Sequence, residues 1–359
     1  MNAGNKNKEI IVERRNFIKS TAIMTGGLLI SKNLLNAAEE NITRGKPIIV
    51  IHGGAGKIKL NDKQWEIKKS VLAESLKAGQ AILSEGGAAI DAVIAAIKVL
   101  EDSPEFNAGR GAVLTSNGFH ELDASIMDGR NRKAGAVTLV RSIKNPIEAA
   151  RLVMDKTWHT LLAAEGAEKL AKENGLEIVD QKYFFTQLAA DRLKEAQEKN
   201  KLMLDHDKLS MSNYVSPYLG TVGAVAFDSN GNIAAGTSTG GMTNKMTGRI
   251  GDSPIVGSGN YADNSSVGLS CTGTGDIFMR VSAAHEVAAL YKYKNLSLQE
   301  ALDEALAQVS ELNGEGGMVA IDKYGNPSFA ITKGEGMGMY HGMARVGEEV
   351  KVFPIYDNN

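Results

Sequence analysis

Gly220-Thr221-Val222-Gly223-Ala224-Val225-Ala226-Phe227 stands where the character of the chain changes most abruptly. Before it, from about 181 to 216, runs a Lys/Glu/Asp/Gln-rich stretch that reads as a solvated helix passing into a flexible connector. After it comes the turn Asp228-Ser229-Asn230-Gly231-Asn232 and a second β-rich run, Ile233 to Thr239, which together predict a hairpin. Val319 to Asn326, followed by Ser328 to Thr332, repeats the design. Between the hairpins, periodic apolar residues predict helices over 276–293 and 297–312, the latter opening with a Ser297/Glu300 capping box.

Toward the N-terminus, Pro47 to Ile51 predicts a buried strand ending in a tight glycine turn, His52-Gly53-Gly54-Ala55-Gly56. Helical spacing follows over 64–83 and, Ala-rich, over 88–100. Strands are predicted over 121–127 and 134–140, and helices over 145–156 and 161–174. Strands, then helices, then strands in each half imply a mixed α/β (α+β) fold of helix-covered sheets, not a βαβ repeat. Further out, Arg14-Arg15-Asn16-Phe17 precedes an apolar run from Thr21 to Ile30, which resembles a twin-arginine export signal over 1–38 with periplasmic or secreted destination. That run is too short to anchor stably in a bilayer.

Composition excludes several functions. The 359 residues carry 40 Lys+Arg against 42 Asp+Glu, a formal charge of −2, so no polybasic surface for nucleic acid or anionic lipid is implied. A single cysteine forbids an internal disulfide and a Cys-rich zinc module. No GxxxxGK[ST] is present, and HGGAG is not a dinucleotide fingerprint. Cys271 reads as a small buried hydrophobe before it reads as a nucleophile. Threonines accumulate between 220 and 276, and Thr221 differs from the rest by position. It opens a strand behind a glycine and an exposed connector, which puts its hydroxyl next to the Gly220 carbonyl.

The chain resembles the plant-type asparaginases and isoaspartyl peptidases, members of the N-terminal-nucleophile hydrolases. The resemblance is carried by His52-Gly53-Gly54-Ala55-Gly56, by Leu100 to Gly109 (LEDSPEFNAG), and by Glu121 to Gly129 (ELDASIMDG). Gly220 to Gly223, Thr237 to Gly241 (TSTGG), Gly248 to Pro254 (GRIGDSP) and Cys271 to Gly275 (CTGTG) are more specific still, and all lie collinear from about Lys46 to Gly336. The resemblance implies a four-layer αββα sandwich with two central, mainly antiparallel sheets. It also implies a precursor that cuts itself between Gly220 and Thr221 into an α chain (39–220) and a β chain (221–359) forming one structural domain.

By the family pattern, Thr221 would be the nucleophile, its freed α-amine the base, Thr239 the orienting hydroxyl, and Thr272 with the Gly273 N–H the oxyanion donors. Arg249 would grip a substrate carboxylate, and Asp252 with the Gly275 carbonyl its ammonium, while Asn107 would support the site. Main-chain carbonyls of Leu100, Glu101, Ser103, Phe106, Ala108 and Arg110 would hold a structural sodium ion, and catalysis would need no cofactor. The implied substrates are L-asparagine and β-aspartyl (isoaspartyl) dipeptides, and the implied assembly is an (αβ)2 dimer of heterodimers. A glycosylasparaginase of the same superfamily and a non-catalytic secreted amino-acid-binding protein are the alternatives. The tail after Gly336 follows the family pattern only loosely.

Overall fold

The computed structural model describes residues 45–57, 62–206 and 220–356. The proposed export signal (1–38) and the last part of the predicted connector (207–219) lie outside the described residues.

Two sheets form the middle of the molecule. The larger has eight strands: β1 (Ile48–Lys57), β2 (Leu122–Asp128), β3 (Lys133–Val140), β4 (Leu161–Ala163), β5 (Val222–Phe227), β6 (Ile233–Thr239), β11 (Met337–Arg345) and β12 (Lys351–Tyr356), in the order β12-β11-β1-β5-β6-β2-β3-β4. The smaller has four: β7 (Asn260–Ala262), β8 (Val267–Gly273), β9 (Gly316–Asp322) and β10 (Pro327–Ile331), in the order β10-β9-β8-β7. All pairings are antiparallel except β3 with β4.

On the outer face of the large sheet lie α1 (Asp62–Ser84), α2 (Ala89–Asp102) and α3 (Pro146–Lys156), with α4 (Ala164–Glu173) against β3. The helix α5 (Gln187–His206) follows in the chain. On the small sheet lie α7 (Ala283–Tyr293) and α8 (Leu298–Glu311), with α6 (Gly275–Val281) beside them. Three apolar clusters fill the spaces between these layers. One, with Leu76, Val93, Ile97 and Ala224, lies under the first helices; one, with Leu269, Phe278 and Leu302, lies under the second; and a third, with Val50, Val225, Ile233 and Val319, joins the sheets. This is the αββα sandwich.

Central strands covered on both faces must be apolar or small throughout, and β5 and β6 are buried at every residue. Small side chains let α2 approach: a Cβ on Gly236 would come 2.9 Å from Val93 Cγ1. The two hairpin turns are closed the same way. Asp228 Oδ1 accepts from the N–H groups of Asn230 and Asn232, and Asp322 Oδ1 from those of Tyr324 and Asn326. The capping box of α8 is present, with Ser297 and Glu300 bonding reciprocally.

Three local expectations are corrected. His52 to Gly56 is not a turn: β1 continues through it with a bulge between His52 and Ala55. Glycine there lets the strand pass under a ring, since a Cβ on Gly53 would lie 2.5 Å from Phe106 Cε1. Leu161–Ala163 is an edge strand, its backbone paired with Ala136 to Thr138 before the helix begins. The helix predicted over 276–293 breaks at Ser282, which is left-handed (φ 53) and redirects the chain so that α7 packs on β7 and β8. The loosely matching tail, in turn, supplies β11 and β12, and β11 pairs with β1.

Candidate active site

Thr221 sits beyond the end of both ladders of β5, which close at His52↔Gly223 and Val222↔Ser238. Side chains therefore hold it. Its hydroxyl donates to Thr239 Oγ1 (3.0 Å), which also accepts from the Gly241 N–H (3.0 Å). Its carbonyl oxygen accepts from His52 Nδ1 (3.0 Å). The preceding carbonyl, that of Gly220, accepts from the Asn107 N–H (3.0 Å). Asn107 is a hub at this point. Its carbonyl takes the Gly240 N–H, its side-chain oxygen takes the Val113 N–H, and its amide donates to the Gly241 carbonyl.

The predicted oxyanion donors lie on the other sheet, at the end of β8, which packs against β5. Thr272 Oγ1 is buried and accepts from the Ala55 N–H (3.3 Å), so its own proton remains to donate. Gly273 is required sterically: a Cβ there would come 2.3 Å from the Glu315 carbonyl oxygen.

The predicted clamp is brought together where the loop after β6 meets α6. A Cβ on Gly275 would lie 2.6 Å from Asp252 Oδ1 and 3.1 Å from Arg249 Nη2, so bare backbone, carboxylate and guanidinium share one small space. Asp252 is buried, and its Oδ2 has no hydrogen-bond partner among the described residues. Burial, partly offset by Arg249, pushes its carboxyl up to about 7. Arg249 pairs with Asp276 (Nη2 to Oδ2, 2.6 Å) and not with Asp252, which removes the ordinary ion-pair explanation for an Arg and Asp three apart. Behind them lies buried Lys245, which donates to the Glu121 carbonyl (2.9 Å) and whose pKa burial pulls down. Buried Asp123 accepts from Thr138 Oγ1 and the Leu139 N–H.

Sequence reasoning missed Asp276 and His52. Asp276 follows CTGTG directly and reads only as a first-turn acid of α6, and His52 reads as part of a turn. Cys271 is fully buried, and burial pushes its thiol up, which disfavours the thiolate that a nucleophile needs. In the loop after α2, a Cβ on Gly109 would come 2.2 Å from the Glu101 carbonyl oxygen, and one on Gly111 2.1 Å from that of Phe106. Among the described residues, no group of three or more His, Cys, Asp or Glu side chains could hold a metal ion, and no helix is long and apolar enough to cross a membrane.

A four-layer αββα sandwich with a threonine at the head of a central strand defines the class of N-terminal-nucleophile hydrolases. Within it, the chain belongs to the asparaginase family, whose model matches residues 45–352. It is 45% identical over 308 residues to the isoaspartyl peptidase of Escherichia coli (strain K12), covering 85% of this chain and 94% of that protein. It is 44% identical over 283 residues to the isoaspartyl peptidase/L-asparaginase of Homo sapiens (78% and 88% covered), and 44% over 280 residues to that of Bos taurus (78% and 88%).

Proposed function

We propose that this protein is a self-processing threonine amidohydrolase that releases L-aspartate from L-asparagine and from β-aspartyl dipeptides. The observation that carries the reading is the Thr221 hydroxyl donated to Thr239 at the head of β5, beside a carbonyl that already holds an N–H.

In the first reaction the Thr221 hydroxyl attacks the Gly220 carbonyl carbon. The Asn107 N–H polarises that oxygen, the peptide nitrogen leaves as the Thr221 amine, and water hydrolyses the resulting ester. The new α-amine, of ordinary pKa about 7.7 to 8, then serves as base to the hydroxyl of its own residue. In the second reaction Arg249 binds the α-carboxylate of the substrate and Asp252 its α-ammonium, which leaves the side-chain carbonyl to meet Thr221. Thr272 Oγ1–H and the Gly273 N–H stabilise the oxyanion. The amine protonates the departing ammonia or peptide amine, and water releases aspartate from the aspartyl ester.

Sharing of the sheets supports a cut that leaves the halves together, because β1, β2, β3 and β4 from before the cut lie in one sheet with β5, β6, β11 and β12 from after it, β1 between β11 and β5. The close carbonyl approaches at Gly109 and Gly111 support a structural cation site in the loop that carries Asn107. There the carbonyls of Leu100, Glu101, Ser103, Phe106, Ala108 and Arg110 would hold sodium, whose role is to shape that loop and not to enter catalysis. Arg14-Arg15 and the apolar run after them support export to the periplasm. An (αβ)2 assembly completes the reading.

Intact mass of the purified protein tests it. Wild type should yield a β chain beginning at Thr221, and Thr221→Ala a single uncut, inactive chain. Efficient cutting in Thr221→Ala would overturn the mechanism, and a higher kcat/KM on glycosylasparagine than on asparagine would overturn the substrate.

A further inference from the structure

His52 enters none of these steps, yet it is fully buried with both ring nitrogens committed: Nδ1 lies 3.0 Å from the Thr221 carbonyl oxygen and Nε2 2.9 Å from Ser270 Oγ. A carbonyl can only accept, so Nδ1 carries the proton. Burial keeps the ring neutral, with its pKa pushed down to about 3, so Nε2 must accept and the Ser270 hydroxyl must donate. Ser270 Oγ is in turn 2.7 Å from Thr237 Oγ1, whose one proton goes either to Ser270 Oγ or to the Gly259 carbonyl 3.0 Å away. A polar line thus crosses between the two sheets, from the candidate nucleophile to β8, two residues before Thr272.

The line has a dedicated gap. Gly223 is the register partner of His52, and a Cβ on it would lie 2.0 Å from Ser270 Oγ and 2.4 Å from His52 Nε2. Any side chain at 223 would break the His52–Ser270 bond. The second glycine of Gly220-Thr221-Val222-Gly223 is therefore required by this bond, not by its own backbone conformation.

We infer that His52 is a positioning residue for the reaction: it fixes the Thr221 carbonyl so that, once Gly220 is cut away, the free amine and the hydroxyl stay placed as a pair toward the clamp and the oxyanion donors. The inference rests on the self-processing reading above. The physical reason lies in the ladder ends. Thr221 is beyond both, so after the cut its only covalent tether is the bond to Val222, and rotation about Cα–C would swing the amine and the hydroxyl together. Holding the carbonyl through His52 and the hydroxyl through Thr239 removes that rotation, which matters because a misplaced base loses rate steeply.

The test compares His52→Ala, His52→Asn, Ser270→Ala and Gly223→Ala with wild type, measuring kcat and KM on L-asparagine per mole of cut chain counted by intact mass. His52→Ala should lower kcat by at least about tenfold with KM nearly unchanged, since His52 touches no part of the clamp. His52→Asn, whose amide N–H stands where Nδ1–H stood, should restore most of kcat. Ser270→Ala and Gly223→Ala, which leave the ring but release its far side, should fall between. If His52→Ala is not cut at all, Ser270→Ala decides: a cut protein with wild-type kcat overturns the inference. So does a His52→Asn no better than His52→Ala, or a rise in KM as large as the fall in kcat. A wild type that is itself uncut yet active overturns the self-processing reading, and the inference with it.

Discussion

Arg249 and Asp276 form an ion pair, Nη2 to Oδ2 at 2.6 Å, while Asp252 keeps a buried oxygen without a partner among the described residues. Asp276 is 52% exposed and Arg249 15%, so the pair is a half-solvated one worth at most about 1 kcal/mol. A guanidinium held this loosely is ready for a second carboxylate, and an orphan carboxylate beside it is ready for a cation. Free amino-acid termini present both.

Removing the guanidinium follows directly. Arg249→Ala should lower kcat/KM on asparagine and on β-aspartyl dipeptides alike by roughly 2–4 kcal/mol of transition-state stabilisation, because a charged hydrogen bond is lost and the substrate carboxylate is left unpaired. Cutting at Gly220–Thr221 should persist, since no free amino acid takes part in it. The same geometry makes α-aspartyl dipeptides poor substrates. Matched assays on both peptide series check this, and equal rates on α- and β-aspartyl dipeptides would contradict the geometry.

Acidification should weaken substrate binding through Asp252. Its carboxyl is pushed up to about 7 by burial, so it takes a proton as pH falls through that value and can no longer pair with the substrate ammonium. KM for asparagine should climb below about pH 7, whereas protonation of the Thr221 amine should act on kcat. KM and kcat profiles measured separately across neutrality distinguish the two groups.

Glu101 links stability to pH. Its carboxyl is fully buried, with Oε1 accepting from Ser238 Oγ (2.6 Å) and the Ile147 N–H (3.1 Å), and burial pushes it from 4.5 up to about 8. A carboxyl whose folded pKa is raised contributes stability that is full below about 4.5 and is lost as pH rises through about 8. Glu101→Gln should therefore flatten the decline of the urea midpoint between mildly acidic and mildly alkaline buffer. A wild-type midpoint that rises over that window would sink the assignment.

Export is tested at the other end of the chain. With Arg14→Lys and Arg15→Lys together, folded precursor should accumulate in the cytoplasm, and fractionation followed by immunoblotting should find it there. An unchanged periplasmic fraction would refute the twin-arginine route.

Much of the architecture was legible because it rests on local chemistry. Alternating and all-apolar runs predicted most strands, and the Asp-x-x-Gly-Asn turns predicted both hairpins, whose Asp228 and Asp322 oxygens indeed take the turn N–H groups. The misreadings share a cause. His52 to Gly56 looks like a turn because glycine breaks strands locally, but pairing with β11 carries β1 through it to Lys57 after the pairing with β5 has ended at His52. Leu161–Ala163 looked helical because its apolar spacing continued into α4, but the open edge of β3 took its backbone first.

By itself, the sequence offered the candidates, through the order of its motifs and their resemblance to the asparaginases: a threonine behind a glycine, an Arg and an Asp three apart among glycines, and a Thr-Gly pair. Only the tertiary structure decided how they are held. It seats Thr221 beyond two ladders, passes Arg249 to Asp276 instead of Asp252, and joins His52 of β1 to Ser270 of β8 through the space left at Gly223. These partners are 27 to 218 residues apart. Such pairings depend on strand register and sheet packing, which are set by burial of the whole interior and have no trace in local periodicity.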